Sequence, residues 1–153
     1  MSQSLDRDIA TLLADVAQNA ILPRYQHLAT GDIVAKAADD MVTVADTDAE
    51  ARLSEALARL LPEAAIVGEE AAHADPAVLD RLGDSLCWVI DPLDGTNNFA
   101  AGKPPFGILL ALAEKGETVS GWIYDVLSGR LCSAHRGQGA FVNGEPVRAR
   151  TSG

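Results

Sequence analysis

The sequence predicts an α+β protein in which two long helices pack on one face of a largely antiparallel sheet, and three observations carry that prediction. Leu5, Ile9, Leu12, Leu13, Val16, Ala20 and Ile21 form one apolar stripe at helical spacing, with acids and amides between them. Leu53, Leu57, Leu60 and Leu61 repeat the arrangement farther along. From residue 106 onward the pattern changes to short apolar or alternating runs separated by glycine-containing turns, as successive hairpins require. Such elements fold as helices segregated to one face of a sheet.

The elements follow in order. The first helix stops at Pro23, because proline cannot continue a helical ladder. Residues 31–40 read as a connection of small and charged residues, and residues 41–45 as a strand. Asp46 and Thr47 then open the second helix: Thr47 and Glu50 have the spacing of a capping box, Asp48 adds favourable charge to the first turn, and Pro62 ends it. Residues 64–67 form a short buried strand, with Gly68-Glu69-Glu70 where it runs out. Asp75 and Pro76 start a small helix that Gly83 stops. Residues 86–90 are almost wholly apolar and form another buried strand, whose ladder Pro92 is expected to stop. Residues 106–113 and 118–125 then pair across the 114–117 turn, and residues 131–134, 140–142 and 146–150 are further short strands. Gly137-Gln138-Gly139 leads into a strand and not a helix, so it is no dinucleotide loop.

The chain of 153 residues has the size of one domain, and a hydrophobic fraction of 48% makes it globular. Twelve basic residues against 22 acidic ones give a formal net charge of -10, which repels nucleic acid and anionic membranes. No basic cluster offsets this. Cys87 and Cys132 sit in apolar stretches outside any Cys-x-x-Cys pair and read as buried free thiols. The first ten residues carry acids and no apolar core, no run reaches membrane-spanning length, and a cytoplasmic protein is expected. His27, His73 and His135 lack partners at zinc-ligand spacing.

The stretch Trp88-Val89-Ile90-Asp91-Pro92-Leu93-Asp94-Gly95-Thr96-Asn97-Asn98-Phe99 carries the chemistry. Asp91, Asp94 and the Leu93 carbonyl offer three oxygen donors within four residues, which suits a hard cation such as Mg²⁺. If Asn97 onward turns helical, the Gly95 and Thr96 N–H groups form a positive pole for an anionic oxygen. The plainer readings stand beside these. Asp-Pro and Asp-Gly are ordinary turn dipeptides, Asp46 serves equally well as a helix cap, and paired glutamates usually lie on a solvated surface.

Taken whole, the stretch resembles the inositol monophosphatase signature Asp-Pro-(Ile/Leu)-Asp-Gly-Thr-x-Asn-Phe, from the magnesium-dependent, lithium-sensitive phosphatases, and every fixed position is present. Lys36, Asp40, Val42-Thr43 and Asp46 match that family's Lys-x-x-x-Asp-x-Val-Thr-x-x-Asp pattern, and residues 136–144 its Gly-x-Gly-Ala-x-x-Asn-Gly hairpin. The resemblance implies hydrolysis of a phosphomonoester, inositol monophosphate or a related small polyol or sugar phosphate, by metal-activated water. It implies that Glu69, Asp91 and the Leu93 carbonyl hold one Mg²⁺, that Asp91 and Asp94 hold a second, and that Gly95 and Thr96 bind phosphate. Glu69 and Thr96 are then catalytic, Asp46 accepts the Thr96 hydroxyl proton, and Lys36 and Glu70 support the ligands from behind.

The resemblance covers residues 36–147, the amino-terminal half of an α/β/α/β/α layered sugar-phosphatase fold. The family's further metal-binding aspartate, in a Trp-Asp-x-Ala-Ala-Gly motif, has no counterpart here. The expectation is therefore one amino-terminal metal-binding phosphatase domain over residues 1–153, incomplete by itself, that pairs as a homodimer or with the missing half. Two alternatives stay open: a non-catalytic domain that binds metal or a partner, and a histidinol-phosphate or nucleotide 3′-phosphatase of the same superfamily.

Overall fold

The computed structural model describes residues 3–37 and 40–151. Helix α1 (Gln3–Val16) buries Ile9, Leu13 and Val16. It runs on as one π-helical turn, Ala17–Ile21, whose wider winding turns Ala17, Ala20 and Ile21 inward together. A 3-10 turn, Leu22–Arg24, closes the segment with Pro23 near its start, where a missing N–H costs nothing.

The 31–40 segment is not merely a connection. Strand β1 (Ile33–Ala37) pairs antiparallel with β2 (Asp40–Thr43). Its exposed Val34 and its lysine hide the strand from a search for apolar runs. Ala38 and Asp39 lie outside the described residues.

Helix α2 (Val44–Leu60) begins two residues before Asp46, where the expected start lay. Thr43 is the cap: its hydroxyl oxygen accepts the Ala45 N–H at 3.2 Å, and Asp46 accepts the Thr43 N–H at 2.8 Å. The Thr47–Glu50 box does not form, since the Thr47 hydroxyl lies inside the helix and donates to the Val44 carbonyl. Both threonines have an acid three residues on, and the earlier pair wins because β2 ends at Thr43.

Strand β3 (Ala65–Gly68) leads into a short helix, α3 (Glu69–Ala74), then into a 3-10 helix, Pro76–Gly83, capped by Asp75. Strand β4 (Cys87–Asp94) follows, then helix α4 (Thr96–Ala100) and strands β5 (Gly107–Glu114), β6 (Glu117–Asp125), β7 (Leu131–His135), β8 (Gly139–Val142) and β9 (Glu145–Val147). Pro92 does not stop β4. The ladder to β5 is irregular between Asp91 and Asp94, so the missing proline N–H falls in a bulge, and pairing resumes at Asp94 with Gly107.

The sheet runs β3-β4-β5-β6-β7-β8-β9, parallel between β3 and β4 and antiparallel elsewhere. Two hairpins turn on Lys115-Gly116 and Asn143-Gly144, all with positive φ, as two-residue loops require. Trp88, Ile90, Ile108, Leu110, Leu112 and Trp122 meet the buried faces of α1 and α2 in one core. Cys87 is buried as expected, whereas Cys132 is partly exposed; both thiols are free. No described helix is long and apolar enough to cross a membrane.

Candidate active site

The parallel pair positions the site. Gly68 stands opposite Ile90 in register, so Glu69, just past the end of β3, comes beside Asp91, where the β4 ladder turns irregular. Gly95 has φ +86 and caps α4. A Cβ there would lie 2.7 Å from the Pro105 carbonyl oxygen, so both backbone and space demand glycine.

The turn after β4 is tied down from two directions. Leu93 N–H donates to Asp91 Oδ1 at 3.3 Å. The Thr96 hydroxyl lies 2.8 Å from Asp46 Oδ1 and 2.9 Å from the Leu93 carbonyl. It owns one proton, so these two acceptors compete for it. Asp46 is 1% exposed and also accepts the Thr43 hydroxyl at 2.7 Å. Burial pushes its carboxyl above the usual range, while the hydrogen bonds from Thr43 and Thr96 pull the other way.

Lys36, reaching in from β1, lies 2.9 Å from Glu70 Oε1 and 3.7 Å from Glu69 Oε1. Burial alone would lower its ammonium, but the Glu70 hydrogen bond and the charges of Glu70, Glu69 and Asp40 outweigh it and hold it raised. Glu70 is raised by burial in spite of Lys36. Asp91 is pushed up to about 7, first by burial, then by the adjoining Glu69 and by the charge of Asp94. That crowding of acids is the main electrostatic feature of the site.

Asp40, Glu69, Asp91, Leu93, Asp94, Gly95, Thr96 and Asn97 line one open cavity of about 250 Å³. A larger cavity, about 610 Å³, lies between α1 and strands β6 to β8, away from these acids. Charge, not size, singles out the smaller one. Every site residue expected from the sequence is placed around it: Glu69, Asp91, Leu93, Asp94, Gly95 and Thr96 on its wall, Asp46 behind Thr96, Lys36 and Glu70 behind Glu69. Asp40 and Asn97 also line it, although the sequence reading gave them no task. Glu50, which the sequence marks only as part of a cap, is buried beside Glu70. Its partners are distant in sequence, so no local pattern marks it.

Among the described residues, no three His, Cys, Asp or Glu side chains are gathered tightly enough to hold a metal ion by themselves. A cation here would use two carboxylates, a backbone carbonyl and water. That all-oxygen set fits Mg²⁺, which keeps several waters, and it does not fit zinc.

A profile of the inositol monophosphatase family matches residues 3–153. The Nus factor SuhB of Escherichia coli strain K12 is 34% identical over 145 residues, 95% of this chain and 52% of that protein. Among solved structures, the Thermotoga maritima IMPase matches with a TM-score of 0.81 and 28% identity over 98% of this chain and 55% of that one. An IMPase/NADP phosphatase complexed with Mg²⁺ and phosphate matches with a TM-score of 0.78 and 26% identity, over 98% and 54%. The chain spans about half the length of the curated relatives it matches. With the profile covering nearly all of the sequence, the chain belongs to the inositol monophosphatase family.

Proposed function

We propose that this site takes part in Mg²⁺-dependent hydrolysis of a phosphomonoester, with inositol monophosphate or a similar small polyol or sugar phosphate as substrate. The observation that carries the reading is the Thr96 hydroxyl, held by buried Asp46 at the wall of a cavity that Glu69, Asp91 and Asp94 make acidic. The related phosphatase complexed with Mg²⁺ and phosphate supports both the metal and the ligand class. Glu69, Asp91 and the Leu93 carbonyl would hold one Mg²⁺, and Asp91 with Asp94 a second. When bound, Mg²⁺ supplies positive charge for a phosphoryl oxygen and makes water nucleophilic at neutral pH.

The protein's own groups do the rest. Charged Asp46 is a stronger acceptor than the Leu93 carbonyl, so it takes the Thr96 proton and leaves the Thr96 lone pairs to receive a proton from the attacking water. Glu69 at the rim orients the same water. The Gly95 and Thr96 N–H groups receive phosphate oxygens. Lys36 stays with Glu70 and steadies Glu69 without meeting the substrate. On this reading residues 1–153 are one metal-binding domain of a phosphatase that works in the cytoplasm, consistent with its free thiols.

Phosphate release from inositol 1-phosphate, measured with and without Mg²⁺ and then with Li⁺, tests the proposal. Mg²⁺-dependent release that Li⁺ suppresses and Asp94→Asn diminishes supports it. Tight Mg²⁺ binding with no release from any small phosphomonoester leaves the non-catalytic reading in its place.

A further inference from the structure

Glu50 is a buried acid to which the proposed chemistry gives no task. It lies one turn after Asp46 on α2, so the two carboxylates leave the same face of the helix. Oε1 accepts the Glu70 N–H at 2.8 Å and Oε2 the Ala71 N–H at 2.9 Å. These are first-turn amides of α3, which no helix can satisfy from within. Gly68 makes the approach feasible, because a Cβ there would fall 2.6 and 2.7 Å from the two Glu50 oxygens. Glutamate suits the task in length and in charge: aspartate is a methylene too short, and glutamine would turn an amide donor toward a donor.

We propose that Glu50 is a positioning residue: by clamping the two amides that follow Glu69, it fixes the Glu69 carboxylate in register with Asp91. Asp46 does the equivalent for Thr96 one turn earlier. Helix α2 thus holds both turns that carry the site, and its two acids set their relative position. Stabilising α3 alone is a poor account of Glu50, since that helix has six residues and buries none of them. The inference rests on the reading of Glu69 and Asp91 as Mg²⁺ ligands.

Mg²⁺ titration calorimetry and amide hydrogen exchange on the 153-residue chain test it. Glu50→Gln is nearly isosteric. It is expected to keep the fold, to speed exchange at Glu70 and Ala71, and to weaken Mg²⁺ binding about tenfold, as loss of a partner behind a ligand does. Gly68→Ala, which displaces the Glu50 carboxylate from outside, is expected to do the same and serves if the Glu50 variant does not fold. Glu55→Gln, on the exposed pair with Arg59, is expected to leave both readouts unchanged. Released amides with undiminished Mg²⁺ affinity would overturn the positioning role and leave the metal site standing. A wild-type chain that binds no Mg²⁺ would overturn the metal site first, and the role of Glu50 with it.

Discussion

Two polar clusters in this protein use similar residues to different ends. Around Asp6, the Trp122 indole N–H donates to Oδ1 at 3.0 Å, His135 Nε2 meets Oδ2 at 2.8 Å, and His135 Nδ1 meets the Ser120 hydroxyl at 2.8 Å. Each donor faces an acceptor, and the network closes on itself. Serine, histidine and aspartate are the types of a nucleophilic triad, yet Ser120 is 2% exposed and cannot reach a substrate. Around Asp91 the balance is reversed. Glu69, Asp91 and Asp94 wall an open cavity, Lys36 is engaged with Glu69 and Glu70, and Asp91 is pushed up to about 7. A balanced network fastens α1 to the sheet, whereas the surplus of acid is what the proposed cation would offset.

The sharpest way to break this contrast is to remove acid from the second cluster. Asp91→Asn, which removes a proposed ligand, is expected to weaken Mg²⁺ binding about a hundredfold or more in calorimetry, beyond the effect of removing a partner behind a ligand. His135→Ala is expected to leave that affinity unchanged. Equal effects would erase the distinction.

The next effect is on stability and pH. A carboxyl raised to about 7 in the folded state, against about 4 when unfolded, binds its proton more tightly when folded. Its contribution to stability is full below about pH 4 and is lost as pH rises through about 7. Thermal unfolding without metal is therefore expected to show Asp91→Asn gaining on wild type between those values and holding its lead above them. Added Mg²⁺ is expected to reverse the order, because it stabilises only the chain that binds it.

Within the closed cluster, His135→Ala is expected to cost about 2 kcal/mol in denaturant unfolding, because it strands the buried Ser120 hydroxyl. Trp122→Phe is expected to cost about 1 kcal/mol for its one hydrogen bond, beyond any loss of packing. The buried Trp88 indole N–H has no hydrogen-bond partner among the described residues, so Trp88→Phe is expected to lose packing alone.

The contrast also separates what could be read in the sequence from what could not. The stripes of α1 and α2 and the Asn143-Gly144 hairpin are local patterns, and they fold as their periodicities dictate. Glu69 follows the end of β3 and Asp91 stands where the β4 ladder becomes irregular, and both places are legible as apolar runs that stop. The start of α2 was displaced because two capping pairs overlap and only the end of β2 decides between them. No apolar run marks strand β1, because it pairs with β2 in a separate two-stranded sheet. Glu50 and the Asp6–His135 network depend on contacts spanning 15 to 129 positions, which periodicity cannot register.

On the proposed reading Glu69, Asp91 and the Leu93 carbonyl share a cation. Anomalous diffraction from crystals soaked in Mn²⁺, a stand-in for Mg²⁺ with a strong signal, tests it most directly. A peak is expected within coordination distance of all three oxygen donors, absent in Asp91→Asn crystals. A peak only elsewhere on the acidic surface, or the same peak in the Asp91→Asn crystals, would contradict it.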